Sequence, residues 1–180
     1  FNIAIGTDAL GTNVSGNYNL AIGRHALQDN TAGDNFAIGY KALEQNTTGT
    51  LNQASGIRSL QYNTTGDYNL AVGFEAMYNN TTASGNMGIG YRALYENTTG
   101  YGNTALGSLA LDANTTGNNN VGVGKDAGGA LTTGSSNVAI NVNALGLCTT
   151  GGANIGIGYE AGKFNQTGTA NVYIGDQSGR

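Results

Sequence analysis

The sequence predicts an all-β chain, a parallel β-solenoid (β-roll) with about 17 residues per coil, on three observations. A motif of the form Asn-apolar-Ala-apolar-Gly recurs from one end of the 180 residues to the other. Its middle three residues alternate in character with period two, as a strand does, and a Gly closes the run. Most units then end in Asn-Thr-Thr-Gly or a close variant, a turn-forming cluster.

The opening Asn sets the register. It recurs at Asn2, Asn19, Asn35, Asn52, Asn69, Asn86, Asn103, Asn120, Asn137, Asn154 and Asn171, with steps of 17 except for one of 16 between Asn19 and Asn35. The missing residue is placed near Asp34. Residues 1–180 therefore read as a single repeat array, with no inserted domain or linker, and as a segment of a longer fibre. Helices do not fit. The apolar run is only five residues long where a mean helix takes ~11–12, and helical repeats need about twice this unit length. Seventeen residues span at most ~56 Å of chain, enough for one flattened or triangular coil of two or three short strands.

Each position of the repeat becomes a column along the rod. The apolar pairs flanking the central Ala, such as Leu70/Val72, Val138/Ile140 and Ile155/Ile157, are expected to point inward with the Leu of the following Ala-Leu pair (Ala42-Leu43, Ala93-Leu94). Gln53/Ser55 breaks that pair, so its coil is expected to be weak and quick to exchange its amide hydrogens. The closing Gly column has one exception, Asn141, and Asn is the residue that best tolerates positive φ outside Gly, so a positive-φ corner is expected there. The opening Asn column is expected to stack its amides along the axis.

The middle residue of the strand is small throughout: Ala4, Ala21, Ala37, Ala54, Ala71, Gly88, Ala105, Gly122, Ala139 and Gly156, before Tyr173. If its neighbours face inward, this column faces out. A surface kept small over ten coils implies close contact with another chain. The opposite orientation, Ala inside and the flanking pair outside, equally demands a partner.

Composition excludes several classes of function. Eleven acids against seven bases, with no basic run, argue against nucleic acid. No run approaches the ~20 apolar residues of a membrane span, so direct membrane insertion is not expected. Catalytic, cofactor and metal sites are all expected to be absent. His25 is the only His and lies in a column of charged residues, Asp8, Lys41, Arg58, Glu75, Arg92, Asp126 and Glu160, in which Arg58, Glu75 and Arg92 are placed to pair. Cys148 stands alone where most coils carry Asn and reads as filler.

Three surface columns invite a binding role. Tyr40, Phe74, Tyr91 and Tyr159 follow the corner Gly and would stack on sugars or line a chain contact. Thr48, Thr65, Thr82, Thr99, Thr116, Thr133, Thr150 and Thr167 form an unbroken row, but the adjacent Thr is expected to point away, which argues against an ice-binding array. The Asn of the turn cluster is a sequon at Asn13, Asn46, Asn63, Asn80, Asn97, Asn114 and Asn165, making these possible N-glycosylation sites; the alternative is that Asn and Thr simply build the turn.

Asn69-Leu70-Ala71-Val72-Gly73, with Asn97-Thr98-Thr99-Gly100 one coil later, resembles the head repeats of trimeric autotransporter adhesins and, in this longer form, repeats of phage and algal-virus tail fibres. The adhesin heads use a shorter repeat, which favours the fibre-like relatives. The resemblance implies a left-handed roll, a homotrimer and a role in surface attachment. On this basis the chain is expected to be a structural shaft or head segment of an extracellular or virion fibre, at the cell surface or on the virion, with identical chains as partners. The alternatives are a glycan-decorated filament scaffold and a repeat module that itself binds cell-surface glycan or matrix.

Overall fold

A computed structural model describes residues 1–179. It is a parallel β-solenoid with a single sheet and, among the described residues, no helix. Each coil contributes one three-residue strand: β1 (Ile3–Ile5), β2 (Leu20–Ile22), β3 (Phe36–Ile38), β4 (Gln53–Ser55), β5 (Leu70–Val72), β6 (Met87–Ile89), β7 (Thr104–Leu106), β8 (Val121–Val123), β9 (Val138–Ile140), β10 (Ile155–Ile157) and β11 (Val172–Ile174). The strands pair in chain order, all parallel and in register, so that Ala37 lies beside Ala54 and Ala54 beside Ala71. Coils are numbered here by their strand. At ~4.8 Å per step the stack is roughly 50 Å long.

The expected second and third strands of each coil are absent. The remainder is turn, yet it stacks as tightly as the strand. The Leu27 N–H donates to the Ala42 carbonyl at 3.0 Å, and the Gln45 N–H to the Gln61 carbonyl at 3.0 Å. The backbone of each coil is thus paired with its neighbours through turns as well as sheet, which satisfies the polar main chain of a coil too narrow for longer strands.

The turns rest on residues at positive φ. The corner Gly lies between 117° and 145° from Gly6 to Gly175, and Asn141 takes that place at 95°. Three further positions per coil enter the left-handed region. One is the Leu column, with Leu27 at 51° and Leu94 at 54°, a conformation uncommon for a residue of this size. No compositional signal marks it; the stack holds it there.

The orientation of the strand is the reverse of the one first expected. Ala21, Ala37, Ala54, Ala71, Ala105 and Ala139 are fully enclosed, Gly88, Gly122 and Gly156 are buried, and the flanking residues face outward. Only Ala4, in the first coil, is exposed. The proposed interchain column is therefore the core of the chain's own coil. Its smallness has an internal cause. The Leu or Met of the preceding coil lies against it, so a Cβ on Gly88 would come within 2.7 Å of Met77 Cγ, and one on Gly122 within 2.8 Å of Leu111 Cγ. The core of a coil is one strand Ala facing the buried Ala-Leu pair, repeated along the axis.

The same finding places the polar pair of coil 4 outside its core. Gln53 and Ser55 reach solvent, while Ala54, Ser59 and Leu60 of that coil are buried. Its interior differs from that of its neighbours only in Ser59, which stands where they carry Ala42 and Ala76 and donates to the Gly56 carbonyl.

Candidate functional site

Two Asn columns line the interior, and they work differently. In the opening column the side-chain oxygen accepts the backbone N–H of the next opening Asn, as in Asn52 N–H to Asn35 Oδ1 at 3.0 Å. Its Nδ2 reaches across its own coil to a corner carbonyl, Asn52 to Gly66 at 2.7 Å. Amide-to-amide stacking, expected of that column, is present at some of its steps, as from Asn69 to Asn52 and from Asn154 to Asn137, each at 3.1 Å, and is shorter and more regular in the turn column. There Asn46 donates to Asn30 at 2.7 Å, Asn63 to Asn46 at 2.7 Å, Asn80 to Asn63 at 2.8 Å, Asn97 to Asn80 at 3.0 Å and Asn114 to Asn97 at 2.8 Å. Each of these donors also holds the Gly or Ala carbonyl three residues on, closing its own turn.

That ladder overturns the glycan reading at five positions. Asn46, Asn63, Asn80, Asn97 and Asn114 are completely enclosed, and the Nδ2 that would carry a sugar makes two hydrogen bonds inside the rod. They are core residues. Asn13 and Asn165 are half-buried and hold Gly16 and Gly168 of their own turns. The Asn-Thr-Thr cluster is a turn whose Asn points in.

The same bonds relocate the missing residue. Asn30 donates to the carbonyl of Ala32, two residues on, where Asn46 donates to Gly49, three residues on. The deletion lies inside the Thr pair, not at Asp34, and Thr31 is the survivor. The two Thr columns are not equivalent. Thr47 Oγ1 donates to the Thr64 carbonyl at 2.9 Å, and Thr64, Thr81, Thr98, Thr115 and Thr132 repeat this, whereas the Thr48-to-Thr167 row is exposed.

The charged stripe pairs as its spacing foretold. Glu75 is buried between Arg58 at 3.3 Å and Arg92 at 2.8 Å. His25 is held by Gln28 and by Arg24, whose Nε lies 2.9 Å from His25 Nε2. Among the described residues no group of three His, Cys, Asp or Glu is arranged to hold a metal ion. Burial, aided by Asp126 and Glu96, raises the Asp112 carboxyl to about 6.

In the aromatic column after the corner Gly, Phe74 and Tyr91 turn one ring face toward each other in a stack at 5.7 Å and 9°, and Arg92 lies over Tyr91. Cys148 replaces an Asn of the ladder with its Sγ toward Gly151, the carbonyl such an Asn would hold; burial pushes its thiol upward.

What does remain open is the outer face of the sheet. Phe36, Val72, Met87, Leu106 and Ile157 are each more than a third exposed, and the other flanking residues of β2–β10 except Gln53 are half-buried. This makes a band ~40 Å long and about 10 Å wide, on the order of 400 Å², within the range of the largest patch on a monomeric protein.

A second surface feature was missed in sequence. The residue just before each opening Asn sits at positive φ and projects beside the sheet. It is Tyr18, Asp34, Leu51 and Tyr68 ahead of coils 2 to 5, then Gly85, Gly102, Asn119, Ser136, Ala153 and Ala170. The bulky members form one wall of a groove whose other wall is Leu20, Phe36, Gln53 and Leu70. Two of its parts, about 260 and 210 Å³, meet at Leu51 and Gln53, and a third of about 410 Å³ adjoins them at Tyr18 and Leu20 and runs to Phe1 and Ile3. The signal was present as a shift from large to small residues, but this column carries no consensus and drew no notice.

These features define a β-solenoid repeat protein with an uncovered apolar sheet face. Comparison with protein-family models, curated proteins and solved structures finds no match.

Proposed function

We propose that the chain is a structural segment of an extracellular or virion fibre involved in surface attachment, and that identical chains associate through the outer face of the sheet. The observation that carries this reading is the apolar band on the outer face of the sheet, interrupted from β5 to β10 only at Thr104, laid on a stack with no break in its backbone pairing. Burying such a band against an equivalent one is favourable at about 25 cal/mol per Å², and equal coil spacing lets two rods match coil for coil. The repeat's likeness to adhesin heads and tail fibres makes the assembly a left-handed homotrimer.

The test is the molar mass of the chain in solution by light scattering, for wild type and for Val138→Arg with Ile140→Arg. Both residues face outward, so the variant keeps its core. A multimeric wild type and a monomeric variant are expected. A monomeric wild type, or a variant that assembles equally well, would defeat the reading.

A further inference from the structure

We propose that the groove beside coils 2–5 is a binding site for a short, neutral, linear oligosaccharide. Its walls supply both kinds of contact that a sugar needs. Tyr18 and Tyr68 stand about two-thirds exposed on its outer wall, separated by three coil steps of ~4.8 Å, or about 14 Å. Unlike Phe74 and Tyr91, they are not paired with each other. Tyr68 has no ring neighbour among the described residues, and Tyr18 meets only Phe1. Their free faces can take the C–H faces of sugar rings.

Between them lie the polar groups. Asp34 and Gln53 are exposed and have no hydrogen bond from their side chains within the described chain. A carboxylate and an amide offer acceptors and donors to hydroxyls spaced along a polymer. A few polar groups set into a largely apolar concave surface is the usual make-up of a small-ligand site.

Other occupants fit less well. A peptide adding as a strand would need an open strand edge, and here each internal strand is paired on both sides. An anionic chain would meet Asp34 with no Lys or Arg lining the groove. A second copy packing over coils 2–4 would cover Gln53 and Asp34 without partners, so the chain contact of the fibre lies on the sheet beyond the groove. The groove also stops where the fibre face continues, because Gly85 and Gly102 remove its outer wall.

The experiment is isothermal titration calorimetry of the intact chain with cellohexaose and with a hyaluronan hexasaccharide, alongside light scattering of the same samples. Cellohexaose is expected to bind, and the acidic probe to bind more weakly. Tyr68→Ala should weaken cellohexaose about tenfold. Asp34→Asn should narrow the gap between the two probes, an effect that no loss of folding would mimic. Ser136→Ala, in the same column beyond the groove, should change nothing. Absence of cellohexaose binding to wild type overturns the site, as does unchanged affinity in Tyr68→Ala. A Tyr68→Ala variant whose mass falls while its sugar affinity holds would make the groove a chain contact instead. Molar mass reads the fibre assembly separately, so either proposal can fail alone.

Discussion

Coils 3 to 7 and coils 8 to 11 solve the same packing problem in two ways. In the first region every coil places Leu or Met after a buried Ala, or after Ser59 in coil 4, and Asn in the turn column, from Leu43 and Asn46 to Leu111 and Asn114. In the second the pattern fails, but the interior is still filled. Coil 8 has Gly128 where Leu belongs and Leu131 where Asn belongs. A Cβ on Gly128 would lie 2.7 Å from Leu111 and 2.9 Å from Leu131, so the displaced Leu131 occupies the hollow that Gly128 leaves. Coil 10 has Gly162, and Tyr173 of coil 11 turns its ring into that space, against Gly179 as well. Volume is conserved while residue positions are not.

The exchange has a cost that the regular region does not bear. With Leu131 in the next coil, the amide ladder ends and Asn114 Oδ1 is left buried with no partner among the described residues. Breaking the comparison deliberately should show the coupling. Leu94→Ala in the regular region should lose about 2–5 kcal/mol. Leu131→Asn alone should lose a comparable amount, because it extends the ladder but empties the core beside Gly128. Adding Gly128→Leu, at a φ of 62° close to that of the other Leu, should recover most of the loss. Urea unfolding of the three variants measures this; additive losses in the double variant would contradict the exchange.

Tyr173→Ala is expected to cost slightly less, about 2–4 kcal/mol, since the ring is only partly buried. Its effect should fall locally. Amide exchange should quicken in coils 10 and 11, with coils 3 to 7 unaltered. A uniform change along the rod would show that the coils melt as one unit.

The third expectation concerns coil 4, the one coil whose flanking pair is polar. Because Gln53 and Ser55 lie outside and Ala54 and Leu60 inside, its amides should be protected like those of coils 3 and 5. Faster exchange there would mean that the outer face contributes to the stability of the single chain.

The smallest effect is a pH dependence. Asp112 titrates near 6 in the folded rod against an ordinary 3.8, because burial disfavours its charge. The folded state therefore binds this proton more tightly than the unfolded one. Its contribution to stability is highest below 3.8 and declines as the pH rises toward about 6, then stays level. Asp112→Asn should remove that slope from urea midpoints collected across the same range.

Much of this rod was legible in the sequence. Recurrence of Asn-apolar-Ala-apolar-Gly determined the coil length, the strand positions and the parallel stack, because a five-residue period-two run closed by a positive-φ residue has few other folds open to it. Asn141 among the Gly revealed the corner, and Arg58, Glu75 and Arg92 announced their pairing through spacing alone. What the sequence left undecided was direction. Alternation says that Ala71 and its neighbours face opposite ways, but not which way is in. The tertiary structure decides it by volume. A coil with a single three-residue strand has room for one Ala against one Leu, and the branched residues on either side are too large to share that space. The fate of the turn Asn follows from the same choice. Once the coil closes around Asn46 and its equivalents, their amides find partners only one step along the axis, and residues that read locally as surface sequons become the hydrogen-bonded centre of the rod.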